Sequence, residues 1–136
     1  MGNLTLNFSD WEFECECCGV ADMNPILITC LQNLRNLVGV PITITSGFRC
    51  AAHNKAEGGD SDSQHLYGRA ADIVIKGYSS SDMYVMAEQL REFREGGIGL
   101  YPKKGHLHVD VRGHRARWGI EDLRKIRRGE KNGTVG

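Results

Sequence analysis

The sequence predicts an α+β fold, a small, mainly antiparallel sheet with helices packed on one face. Three observations carry that prediction. Residues Gly105 to Arg112 alternate polar and apolar without a fault, the period of a half-buried strand. Leu27, Leu31, Leu34 and Leu37 recur at helical spacing between Asn24-Pro25 and Gly39. The runs Pro41 to Thr45 and Ala70 to Ile75 are short and β-branched or apolar, which is strand character.

Taken in order, the first helix starts where Asn24 offers a capping side chain and Pro25 a preset φ, and it stops at Gly39. The strand Pro41 to Thr45 follows. Residues 46–69 are rich in Gly, Ser, Asp, Asn and His and show no period, so they read as a long ordered loop of the kind that carries function. After the strand Ala70 to Ile75, serines 79–81 open a second helix running through Met83, Val85, Met86, Leu90 and Phe93 to Gly96-Gly97. Strands Ile98 to Tyr101 and His106 to Arg112 close the pattern.

The 136 residues, 40% hydrophobic and 25% charged, suit one domain over 1–118 followed by a basic helix or tail over 119–136. Seventeen bases balance 17 acids, which excludes a supercharged nucleic-acid arm and predicts no bulk attraction to DNA or anionic lipid. The expected state is a monomer with no nucleic-acid partner. The longest apolar run, Pro25 to Leu31, is too short to span a bilayer. Met1 to Thr5 lacks the basic segment and apolar core of a secretory signal, so the expectation is a chain that is cytoplasmic on synthesis.

Neutrality hides a gradient. Residues 1–34 carry five acids and no Lys or Arg, whereas 111–136 carry eight bases against three acids. The basic end reads either as an anchor for an acidic polymer or, with Glu121, Asp122 and Glu130 interspersed, as a solvated helix and tail. The five cysteines cannot all pair, and three crowd into Cys15-Glu16-Cys17-Cys18. Free thiols are the default. A structural zinc on some of Cys15, Cys17, Cys18 and Cys50 is the alternative, since Cys15 to Cys18 reads C-x-x-C.

The chemistry concentrates in two segments. In a strand over 105–112, Leu107, Val109 and Val111 face the core, and His106, His108, Asp110 and Arg112 share the other side. In Ser63 to Asp72, a histidine sits in the loop and Asp72 sits inside an apolar strand. A carboxylate buried there needs a cation, either an arginine such as Arg69 or a divalent metal shared with the imidazoles of His65 and His108. Two imidazoles and one carboxylate leave a fourth zinc position open, as catalytic sites do.

Several stretches together resemble one group of enzymes. They are Ser46-Gly47-Phe48-Arg49-Cys50 with His53-Asn54, the S-x-H-x-x-G-x-A-x-D pattern from Ser63 to Asp72, Gly97 to Tyr101, and His106-x-His108-x-Asp110 followed by Trp118. Over residues 8–118 the chain resembles the zinc D-alanyl-D-alanine carboxypeptidases and related peptidoglycan peptidases, which share a metal fold with the hedgehog signalling domain. Phe8-Ser9 and the box from Cys15 to Gly19 are most similar to small phage and bacterial members.

The resemblance implies Zn2+ as cofactor, held by His65, Asp72 and His108, and peptidoglycan stem or cross-link peptides as substrate. It implies that Arg49 polarises the scissile carbonyl or holds a substrate carboxylate, and that His106 bonds the oxyanion or shuttles a proton. Ser63 and Gln64 become candidate substrate contacts. Many relatives carry an Asp or Glu three residues before the last zinc ligand as general base, and that position here is Gly105. His106 and Asp110 are the remaining candidates for base, with a supporting contact to a zinc ligand or Arg112 as the other role for Asp110. Loss of the base also leaves open a non-catalytic, zinc-stabilised binding module. As an enzyme, the chain would meet wall after release from the cell or as part of a phage particle.

Overall fold

The structure, a computed structural model, describes residues 2–120. Helix α1 (Pro25–Val38) begins as expected, with the Asn24 side chain accepting from the Ile26 amide at 2.8 Å. Strand β1 (Ile42–Ser46) leads into the segment expected as loop, which instead holds a short helix α2 (Ala51–Ala56) and a 3-10 turn (Gln64–Tyr67). Neither is long enough to show a hydrophobic period, so periodicity missed both. Strand β2 (Ala70–Ile75) has the expected bounds.

The helix expected from the serines to Gly96 is two helices, α3 (Ser80–Ala87) and α4 (Arg91–Arg94), with Leu90 in an extended conformation between them. The break serves packing. In a continuous helix Phe93 would lie about 120° around the axis from Ala87, off the buried stripe. The interruption rephases the chain, and Phe93 is buried with Met83 and Ala87 in one core.

Strands β3 (Gly97–Tyr101) and β4 (His106–Asp110) are joined by a turn, and β5 (Ala116–Trp118) adds an edge the pattern did not announce. The sheet order is β1-β2-β4-β3-β5, antiparallel throughout except for the parallel β3–β5 pair. The apolar face carries Ala71, Ile73, Leu107, Val109, Ile98 and Leu100, and α1, α3 and α4 contribute Leu31, Met83 and Phe93 to the same core. Each such fully buried side chain contributes about 1.5–3 kcal/mol relative to exposure. Because strand side chains alternate, covering that face with helices turns Asp72 and His108, which are register partners, to the opposite side.

No described helix is long and apolar enough to cross a membrane. Of the basic end, Arg115 and Arg117 pair with Glu88 at the end of α3, so these charges are spent within the molecule. The expected basic helix or tail lies outside the described residues beyond Ile120.

Candidate metal centre and cleft

Three segments deliver the site. Strands β2 and β4 place Asp72 beside His108, and the 3-10 turn brings His65 over them, with Ser63 Oγ accepting from the His65 amide at 3.2 Å to fix the turn. One Asp72 oxygen, Oδ1, lies 3.3 Å from His65 Nε2 and 3.2 Å from His108 Nδ1. All three side chains are buried, and one donor atom of each lies within 4.8 Å of the others.

The second nitrogen of each imidazole is engaged elsewhere. His65 Nδ1 lies 2.8 Å from the Gly47 carbonyl and His108 Nε2 lies 2.7 Å from Asp110 Oδ2. Both partners only accept, so each of those nitrogens donates its proton, and the lone pairs left over are on His65 Nε2 and His108 Nδ1. Those are the atoms that face Asp72. Two neutral imidazole lone pairs and a carboxylate fit a borderline divalent cation such as zinc.

Asp110 is not at the cleft. It is 0% exposed, and its oxygens accept from the Gly97 amide (2.8 Å), the Arg112 amide (3.1 Å), the Arg112 guanidinium and His108. A carboxylate with all these donors has no lone pair left toward solvent, so the geometry favours the supporting role over the base. Burial pushes Asp110 up, but His108 and Arg112 outweigh it and hold it well below the usual carboxylate range. Asp72 behaves alike, with His108 and His65 overcoming its burial. Burial pushes His108 down, and Asp110 and Asp72 bring it above its ordinary value.

Arg49 and His106 also lie within 4.0 Å of the Asp72 carboxylate. Arg49 Nη2 is 3.5 Å from Asp72 Oδ2, its Nε donates to Ser46 Oγ at 3.2 Å, and its Nη1 donates to Asn54 Oδ1 at 3.3 Å. Asn54, in α2, is itself buried and anchored on the Asp60 carbonyl at 2.7 Å, so the short helix carries a fixed acceptor for the arginine. His106 stacks on Tyr101, ring centroids 4.6 Å apart, and burial lowers it from its ordinary value. Gly105, the position at which the sequence resemblance implies a base, sits in the β3–β4 turn at φ 76°, a conformation that L side chains rarely adopt.

The site had residues that sequence reasoning left without a role. Trp118, delivered by β5, lies 4.8 Å from the His108 ring and donates its indole N–H to Tyr101 Oη at 2.8 Å. The G-x-G of β3 makes room for this wall. A Cβ on Gly99 would collide with the Trp118 indole, and one on Gly97 with the Asp110 carboxylate. The Gly47 carbonyl carries no sequence signal at all, being main chain.

Two clefts meet at Arg49 and Asp72. One of about 400 Å³ runs past Gln64, Trp118 and Tyr101, and one of about 860 Å³ runs past His106 and Thr45. Gln64 and Ser63 line the first; the Gln64 amide oxygen is buried with no hydrogen-bond partner among the described residues, and the Ser63 hydroxyl fixes the turn.

Comparison with known proteins agrees with this geometry. The family model for peptidase M15 matches residues 3–110. The peptidoglycan L,D-endopeptidase MepK of Escherichia coli (strain K12) is 29% identical over 99 residues, 68% of this chain and 53% of the relative. The probable peptidoglycan L,D-endopeptidase MepK of Haemophilus influenzae is 31% identical over 100 residues, 68% of this chain and 52% of the relative. The zinc D-Ala-D-Ala carboxypeptidase of Streptomyces albus G is 39% identical over 83 residues, 58% of this chain and 31% of the relative. The chain thus spans about half the length of the endopeptidases it matches.

Proposed function

The chain belongs to the peptidase M15 family, and on that premise we propose that it is a zinc-dependent peptidase that hydrolyses peptide bonds of bacterial peptidoglycan. The observation that carries the reading is the orientation of His65, Asp72 and His108. Their free lone pairs converge while a carbonyl and a buried carboxylate hold the imidazoles from behind. These three residues would hold the zinc ion, which supplies Lewis acidity toward water and a peptide carbonyl.

The chain's own groups supply the rest. Arg49, clamped by Ser46 and Asn54, presents its remaining N–H groups to the oxygen on which negative charge develops. His106 takes a proton from the attacking water at its imidazole and returns it to the amine nitrogen as the peptide C–N bond breaks, a role suited to an imidazole whose burial favours the neutral form. Gln64 and Ser63 line the cleft that receives the peptide, and Trp118 with Tyr101 forms an apolar wall against it. Clefts on both sides of Arg49 and Asp72 support an endopeptidase acting within a peptide over an enzyme that trims its end. The setting we propose is a phage or bacterial lytic enzyme that meets wall after release from the cell or within a phage particle.

Gly105 favours a second reading, a zinc-stabilised module that binds wall peptide without cutting it. Purified peptidoglycan separates the two. Zinc-loaded protein is expected to release new amino groups, and mass spectrometry of the fragments identifies the bond. Tight binding with no fragment under any zinc concentration would overturn the peptidase in favour of the module.

A further inference from the structure

Outside the proposed catalytic centre, Cys15, Cys18 and Cys50 bring one sulfur each within 4.8 Å of the others, and none of the chain's cysteines is in a disulfide. We infer that Cys15, Cys18 and Cys50 form a second, structural site for a thiophilic divalent cation, zinc by its chemistry.

The backbone is built for it. Cys15 to Gly19 folds into a tight turn in which the Gly19 amide donates to the Cys15 carbonyl at 2.8 Å and Gly19 takes φ 72°. The Cys50 amide, from the far side of the gap, points at Cys15 Sγ at 3.4 Å. Amides aimed at a sulfur favour its thiolate, the form that ligates metal. Cys30 is the contrast, buried in the core and outside this cluster.

Charge points the same way. The cluster grows from the stretch 1–34, whose five acids meet no Lys or Arg within it, and Glu14 and Glu16 flank Cys15. A divalent cation among these sulfurs would also be balanced by the acidic segment around it. The site also has a place in the molecule. Cys50 follows Arg49 directly, and Phe48 donates its amide to the Phe13 carbonyl at 2.9 Å, so a cation there staples the N-terminal segment to the loop that carries Arg49 and the Gly47 carbonyl.

This inference does not rest on the peptidase reading, and its test removes the other site first. In His108→Ala protein, titration with Co2+ alone is expected to produce the near-ultraviolet sulfur-to-cobalt charge-transfer band, with one equivalent bound. With His108 retained, bound zinc is expected to be lower by one equivalent per chain in Cys50→Ser than in the parent and unchanged in Cys30→Ser. Limited proteolysis is expected to cut near residues 13–20 several-fold faster once that zinc is removed. The Co2+ titration needs no cysteine variant, so a misfolded Cys50→Ser leaves the test intact. Absence of the band, or a Cys15–Cys50 disulfide found by mass spectrometry of freshly purified protein, would overturn the site.

Discussion

His108 Nε2 lies 2.7 Å from Asp110 Oδ2, and that one contact decides which face of the imidazole is left for a metal. Two residues apart on one strand, the pair shares a side of the sheet, but only His108 reaches the cleft.

Asp110→Asn keeps the size and removes the charge that holds both His108 and Arg112. Zinc affinity is expected to fall roughly 10- to 100-fold, as for other partners of a metal-bound histidine. Competition with a chelator reads this directly. Unchanged affinity would mean that the contact orients nothing.

Arg49→Lys replaces a planar fork anchored at Ser46 and Asn54 with a flexible point charge. Peptidoglycan turnover is expected to drop by about two to three powers of ten while bound zinc stays constant. Equal losses of metal and activity would assign Arg49 to holding Asp72 instead.

Gly99→Ala puts a methyl group where the Trp118 indole lies. The wall beside His108 has to move, at a cost of about 1–3 kcal/mol in stability by urea unfolding. Tryptophan fluorescence is expected to shift, and Trp118→Phe is expected to restore part of the loss. A variant as stable as the parent would show that the edge strand is free to slide.

Glu88 ties the end of α3 to the edge strand through Arg115 and Arg117, with Tyr84 donating to it at 3.0 Å. Burial pushes its carboxyl up, but the two arginines and Tyr84 hold it below the ordinary value. A depressed carboxylate stabilises the fold above its unfolded pKa of about 4.3 and loses that contribution as pH falls through the folded value. Glu88→Gln is therefore expected to cost about 1 kcal/mol near neutrality, with the gap to the parent closing below about pH 4. A gap independent of pH would make the loss one of packing.

Much of this was legible in the sequence where side-chain period reports directly on burial. The alternation from His106 to Asp110 gave the strand and its faces, and Asp72 inside Ala70 to Ile75 announced a charge needing a partner. Depth along a face is another matter. Alternation puts His106, His108 and Asp110 on one side but cannot say that Asp110 is sealed behind its neighbour by Gly97 and Arg112. Helix α2 was hidden because six residues hold too few turns to show a stripe, and β5 because a three-residue edge paired in parallel depends on tertiary contacts alone.

Anomalous diffraction at the zinc edge from crystals of the zinc-loaded protein tests the central claim most directly. The expected result is an ion bonded to His65 Nε2, Asp72 and His108 Nδ1 at about 2.0–2.2 Å, with His108 Nε2 still on Asp110. Zinc bound to the cysteine cluster with none among these three, or bound through His108 Nε2, would contradict it.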